Sequence, residues 1–114
     1  MNEAVQFIGL LGTDGTLLEA NRSSLRHAGV PHEEVIGQKF WDTPWWRHSA
    51  ELQQRLRDAV AAATRGETVR FEATHPRPDG SLAYMDFSLK PLRGDDGSVV
   101  YLIPEGREIG RAHV

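Results

Sequence analysis

The chain has 114 residues, a net charge of −3, five histidines and no cysteine. That length suits one core and leaves no room for a separate catalytic domain, while the scattered basic residues offer no footprint for a phosphate backbone, so nucleic acid is not an expected partner. The lack of cysteine excludes disulfides, thiolate metal sites, thiol nucleophiles and chromophores attached through sulfur. The longest apolar runs, such as FIGLLG at 7–12, fall far short of a membrane span or a signal-peptide core, so a cytoplasmic chain without direct membrane contact is expected.

In chain order, VQFIGLL (5–11) is short and apolar and meets GTDGT (12–16), whose aspartate and glycines suit a tight turn. The pair reads as a strand entering a hairpin, with LLEA (17–20) pairing back. Asn21 stands where a helix N-cap belongs, ahead of RSSLRHAG, and Gly29 followed by Pro31 stops that helix. HEEVIG (32–37) allows one further helical turn. FWDTPWW (40–46), which holds all three tryptophans, reads as an irregular connection with Pro44 fixing the turn. A longer helix follows, carrying Leu52, Leu56, Val60 and Ala63 along one face, with Ser49 as its cap and Gly66 as its stop.

From Thr68 the period changes to two. Val69, Phe71, Ala73 and His75 share one face of a strand. After the PRPDG turn, Ala83, Met85, Phe87 and Leu89 are set against Tyr84, Asp86, Ser88 and Lys90. RGDDGS makes the next turn, and VVYLIPEGREI (99–109) is the last strand. Strand, strand, short helices, long helix and a three-strand meander make an α+β domain with helices against one face of an antiparallel sheet.

No catalytic constellation emerges: G-x-S-x-G, P-loop, G-x-G-x-x-G and H-E-x-x-H are all absent. The acidic pairs Glu33/Glu34 and Asp95/Asp96 fall in a helical turn and a hairpin loop and read as solvated surface. His27, His32, His48, His75 and His113 have no metal-ligand spacing, so no metal site is expected. An acid–base pair of His75 and Asp86 would need both on one face, and alternation sets them on opposite faces. The domain is therefore expected to be no enzyme in itself.

The residues resemble a PAS domain, the sensory and interaction module of signalling proteins, over nearly the whole chain. IGLLGTDGTLLEANRSSL is similar to that family's first hairpin and the asparagine opening its first helix. EEVIGQKFWDTPWW resembles the stretch where a glycine and an aromatic residue end the second helix, and PDGSLAYMDFSLKPLRGDDGSVVYLIPEGREI its closing meander with two DG turns. The resemblance implies a five-stranded antiparallel sheet in the order 2-1-5-4-3 with helices packed on one face. It implies a non-catalytic sensor, from a larger protein of the histidine kinase or cyclase type, within which residues 1–114 form one domain linked to an effector. In many members an Asp-Ile-Thr end hands the signal onward; Glu108, Ile109 and Gly110 occupy that place here, and Gly110 lacks the hydroxyl and propagates a helix poorly.

Phe71, Met85 and Phe87, facing Leu56 and Val60, can enclose a small-molecule pocket that Phe40, Trp45 and Trp46 close or line. The same side chains can instead fill an ordinary close-packed core, and the sequence leaves both readings open. Haem is not expected, because His48, the one histidine near the long helix, falls at or before its cap. Flavin is expected still less, since the photoactive flavin branch needs a cysteine motif. The opposite face of the sheet, with Tyr84, Asp86, Ser88, Lys90 and Tyr101 or Leu102, is the face that meets a flanking helix or a second copy in this family. The flank at residues 1–4 is too short for such a helix, which favours a homodimer. The alternatives to a ligand-binding sensor are a haem-dependent gas sensor and a pure dimerisation module.

Overall fold

Antiparallel strands with one buried face show their sidedness directly, and the three longest strands of this chain do so. In the computed structural model, which describes residues 6–109, β3 (Val69–Pro76) buries Phe71, Ala73 and His75, and β4 (Leu82–Arg93) buries Ala83, Met85, Phe87 and Leu89. The expected phases therefore hold on both strands. β5 (Val99–Ile109) runs between β4 and β1 (Gln6–Leu11), and β2 (Leu17–Ala20) lies outside β1, giving the antiparallel order β2-β1-β5-β4-β3.

Leu102 alternates in phase with the buried Pro104 and Gly106 and is fully buried, so it is Tyr101 that faces outward, 40% exposed. The register irregularity at Leu92/Arg93 lies beyond this pair, between Tyr101 and Val99.

The helices α1 (Arg22–Ala28), α2 (His32–Val35) and α3 (Ala50–Thr64) cover the inner face. Asn21 caps α1 as expected, its Oδ1 accepting from Ser24 N–H at 3.1 Å, and it also ties the helix to the sheet: Ile8 N–H donates to the same oxygen at 3.3 Å, and Nδ2 donates to the Gln6 carbonyl at 2.9 Å. Gly29 ends the helix at φ 71°, a left-handed turn that glycine adopts without Cβ strain. Ser49 caps α3 through its hydroxyl oxygen, which accepts from Leu52 N–H at 3.2 Å. Leu56, Ala59, Val60 and Ala63 then form the buried stripe, with Leu52 half-buried at its start.

The tryptophan segment is more ordered than an irregular connection. Residues Phe40–Asp42 form a 3-10 turn, and Thr43 closes it by donating from Oγ1 to the Phe40 carbonyl at 2.6 Å. Just before it, the chain is laced to the first hairpin: Leu17 N–H donates to Gln38 O at 2.8 Å and Phe40 N–H to Gly15 O at 2.9 Å. Gly15 sits at φ 88°, and a side chain there would also strike the Trp41 ring. These anchors swing Phe40, Trp45 and Trp46 onto the inner face, where all three are buried.

Candidate functional site

A cavity of about 30 Å³, partly open to solvent, lies between the inner face of the β1–β5 half of the sheet and the segment that carries α1 and the tryptophans. That is room for about two waters or a fragment of similar size. Its floor is the backbone of β1 and β5 at Gly9 and Gly106, which put no side chain into the space. At Gly9 a Cβ would come within 2.8 Å of the Glu19 carbonyl oxygen, so the close approach of β1 to β2 requires glycine there. Leu17 and Ala20 wall one side. Phe40, Trp45, Phe87 and His75 wall the other.

The sequence-predicted pocket residues divide into two groups. Phe40, Trp45 and Phe87 line the cavity. Trp46, Leu56, Val60, Phe71 and Met85 are buried away from it, in the packed part of the interior. The two adjacent tryptophans thus differ in role. Trp45 borders the cavity and is fixed by Nε1–H donating to the Ser24 carbonyl at 3.2 Å, whereas Trp46, fully buried, packs its ring edge-on against Phe87 at 4.9 Å and Phe71 at 6.2 Å between centroids.

Sequence reasoning placed His75 on the inner face but gave it no part in the pocket. It is 5% exposed, borders the cavity, and has no hydrogen-bond partner for Nε2 among the described residues. Its ring sits 5.2 Å from Trp46 and 6.2 Å from His27, which in turn stacks edge-on against Phe7 at 5.1 Å. Burial holds the His75 imidazole neutral, pushing its pKa from 6.5 to about 3, and desolvation lowers His27 as well. The other histidine of interest, His48, stands just ahead of α3 with Nε2 at 3.0 Å from Thr74 Oγ1. No cluster of three or more metal-ligating side chains occurs among the described residues.

Two of the three candidate coupling residues are visible. Glu108 near the end of β5 is ion-paired with Arg77 of the β3–β4 turn at 2.6 Å, and Ile109 is the last residue of the strand. Gly110 lies outside the described residues. On the outer face, a polar row crosses the middle of the sheet, with Arg70 paired to Asp86 at 2.6 Å and Lys90 to Glu105 at 3.4 Å. Arg70 holds the Asp86 carboxyl below the usual range. Asp86 therefore faces away from His75, on the opposite side of the sheet. Ile8, Leu92 and Tyr101 are exposed on that outer side, each at about 40%.

An antiparallel sheet in the order 2-1-5-4-3, roofed on one face by short helices and one long one, is the architecture of a PAS domain. The family model for the PAS fold matches residues 1–114, and the chain belongs to that family. Over 106 residues, 91% of the chain, it is 39% identical to the sensor histidine kinase TmoS of Ectopseudomonas mendocina, and over 111 residues it is 38% identical to hybrid signal transduction histidine kinase D of Dictyostelium discoideum. The chain spans only 11% and 7% of those proteins, so it is homologous to one segment of each. Among solved structures, the PAS domain of the Cronobacter turicensis quorum-sensing receptor RpfR, in complex with BDSF, superposes with a TM-score of 0.75 at 24% identity, covering 96% of this chain and 99% of that one. Vibrio cholerae VqmA superposes at 0.80 with 20% identity over 96% of this chain and 48% of its own. At such identities the likeness shows the fold alone. No helix among the described residues is long and apolar enough to cross a membrane.

Proposed function

We propose that this PAS domain is the ligand-binding sensory module of a cytoplasmic histidine kinase-type signalling protein, without catalysis of its own. The observation that carries the reading is the cavity on the helical side, floored by the same strand, β5, that ends at Glu108 and Ile109. A ligand there touches the central strand directly, and its differential affinity for two arrangements of β5 shifts their populations. The Arg77–Glu108 pair links the exit of that strand to the β3–β4 turn, so both hairpins feel the change. Homology to segments of two kinases supports a covalently linked effector.

The test is native mass spectrometry and thermal shift of the purified chain against a metabolite panel. A retained or stabilising compound supports the reading. A second reading, a dimerisation module, is favoured by the exposed Ile8, Leu92 and Tyr101 on the outer face. Sedimentation equilibrium decides it: a dimer that Tyr101→Asp converts to monomer, with no compound bound, replaces ligand sensing by pairing.

A further inference from the structure

We infer that the cavity takes a small neutral molecule with an apolar body and a single hydroxyl or carbonyl oxygen, which hydrogen-bonds to Nε2 of His75. This rests on the ligand-sensing reading above and names the chemistry of that site.

The starting point is a polar atom in the wrong place. His75 projects from the inner face of β3 into an aromatic cluster formed with Trp46 and His27, and its Nε2 is buried without a protein partner among the described residues. A buried polar group left unpaired costs about 1–3 kcal/mol. A phenyl ring at this position would fill the same slot between Trp46 and His27 and avoid that cost. Trp46 Nε1 and both ring nitrogens of His27 are unpaired among the described residues as well, but of these three residues it is His75 that borders the cavity, from which a partner can come.

The rest of the lining fixes the body of the ligand. Leu17, Ala20, Phe40, Trp45 and Phe87 are apolar. The Nε1–H of Trp45 is already used on the Ser24 carbonyl, and the Ser24 hydroxyl donates to Asn21 Oδ1 at 2.5 Å. Glu105 also lines the space, but its carboxylate is engaged by Lys90 at 3.4 Å and by Gln6 Nε2–H at 2.9 Å, which leaves His75 to orient a polar group.

Charge fixes the oxygen as neutral. The imidazole stays uncharged in this setting, the described residues that line the cavity include no lysine or arginine, and Arg77, whose charge acts on the neighbouring His27, is committed to Glu108 at 2.6 Å. A carboxylate would enter with no cation to meet it, at the cost of burying an unpaired charge. A hydroxyl can donate to or accept from Nε2 in either tautomer, and a carbonyl can accept from Nε2–H. The present volume, about that of two waters, admits the polar end and its adjoining carbon, with the rest of the body reaching towards solvent through the open side.

Four probes of matched size test this on the whole 114-residue chain by NMR titration: 1-butanol, 2-butanone, butanoate and dissolved butane, with the ¹⁵N shift of His75 Nε2 as the direct readout. The expected result is saturable perturbation of Gly9, Gly106 and His75 by butanol or butanone, at least tenfold tighter than by butane or butanoate, with a moved Nε2 resonance. His75→Phe should keep or raise the melting temperature and erase that preference, while His75→Gln, which retains an amide, should keep part of it. Butane binding as tightly as butanol with Nε2 unmoved overturns the inference and leaves ligand sensing standing. Preference for butanoate overturns it as well. If all four probes leave the cavity resonances unchanged the inference fails, and only an empty metabolite screen in addition removes the sensory reading itself.

Discussion

On the β3–β4 side of the inner face, Trp46, Phe71 and Phe87 meet ring to ring with centroids 4.9 to 6.2 Å apart, while on the β1–β5 side Gly9 and Gly106 face the helices with no side chain at all. Both regions belong to one continuous sheet, yet one is a packed wall and the other a floor with space above it. The contrast shows how a small domain can hold both stability and open interior space: large rings concentrate the burial in one half, so the other half can stay under-filled. His75 stands at the seam, touching Trp46 on one side and the cavity on the other.

The sharpest way to break this division is to truncate one ring in each half. Trp46→Ala should cost about 3–5 kcal/mol, as removal of a fully buried indole does, measured by the urea midpoint at constant slope. Phe7→Ala, at the edge of the open half and only half-buried, should cost about 1 kcal/mol. Equal losses at the two positions would abolish the distinction.

Acid probes the seam. The folded state holds His75 neutral to about pH 3, whereas an unfolded chain takes up the proton near 6.5. Its contribution is thus complete above pH 6.5 and falls away as the pH drops towards 3, by about 1.4 kcal/mol per unit once below 6.5. His27 and His48, both lowered by desolvation, add in the same direction. Unfolding curves recorded between pH 7 and pH 4 should show this slope, and His75→Phe should flatten it.

Asn21 holds the open half together from outside, since it joins α1 to two positions on β1. Asn21→Ala should cost about 1–2 kcal/mol and speed hydrogen exchange at Ile8, whose N–H it binds. The smallest effect is expected on the outer face. Arg70→Ala removes an exposed pair with Asp86 and should change stability by less than about 1 kcal/mol, an effect that disappears in high salt.

Much of the fold was legible because alternation and capping are local. Phe71, Phe87 and Leu89 announce their face through period two, and Asn21 and Ser49 announce helix starts through their side chains. The order of the strands is not local, and it came from the resemblance. The site was legible only in outline. Phe40, Trp45 and Phe87 were candidates for its wall, but the separation of Trp45 from Trp46 depends on the 3-10 turn at Phe40–Asp42, whose geometry comes from backbone bonds to the first hairpin. His27 lies on a helix of seven residues, too short for a periodic face to show. The phase of β3 placed His75 inward, yet whether a buried imidazole finds a partner is a property of its neighbours in space. Burial next to aromatic positions in a strand is the one signal that could have raised it.

The pairing of β1 with β5 sets Gln6 opposite Arg107, so the described chain enters and leaves the sheet on adjacent antiparallel strands. Tension applied across those two points pulls the strands apart sideways and loads their cross-strand bonds one at a time rather than all together. The domain should therefore yield to pulling at low force, opening first between its first and last strands. Optical tweezers attached at the two ends would read this as an early, small extension step at the seam that also floors the cavity, so mechanical load and ligand occupancy should oppose each other there.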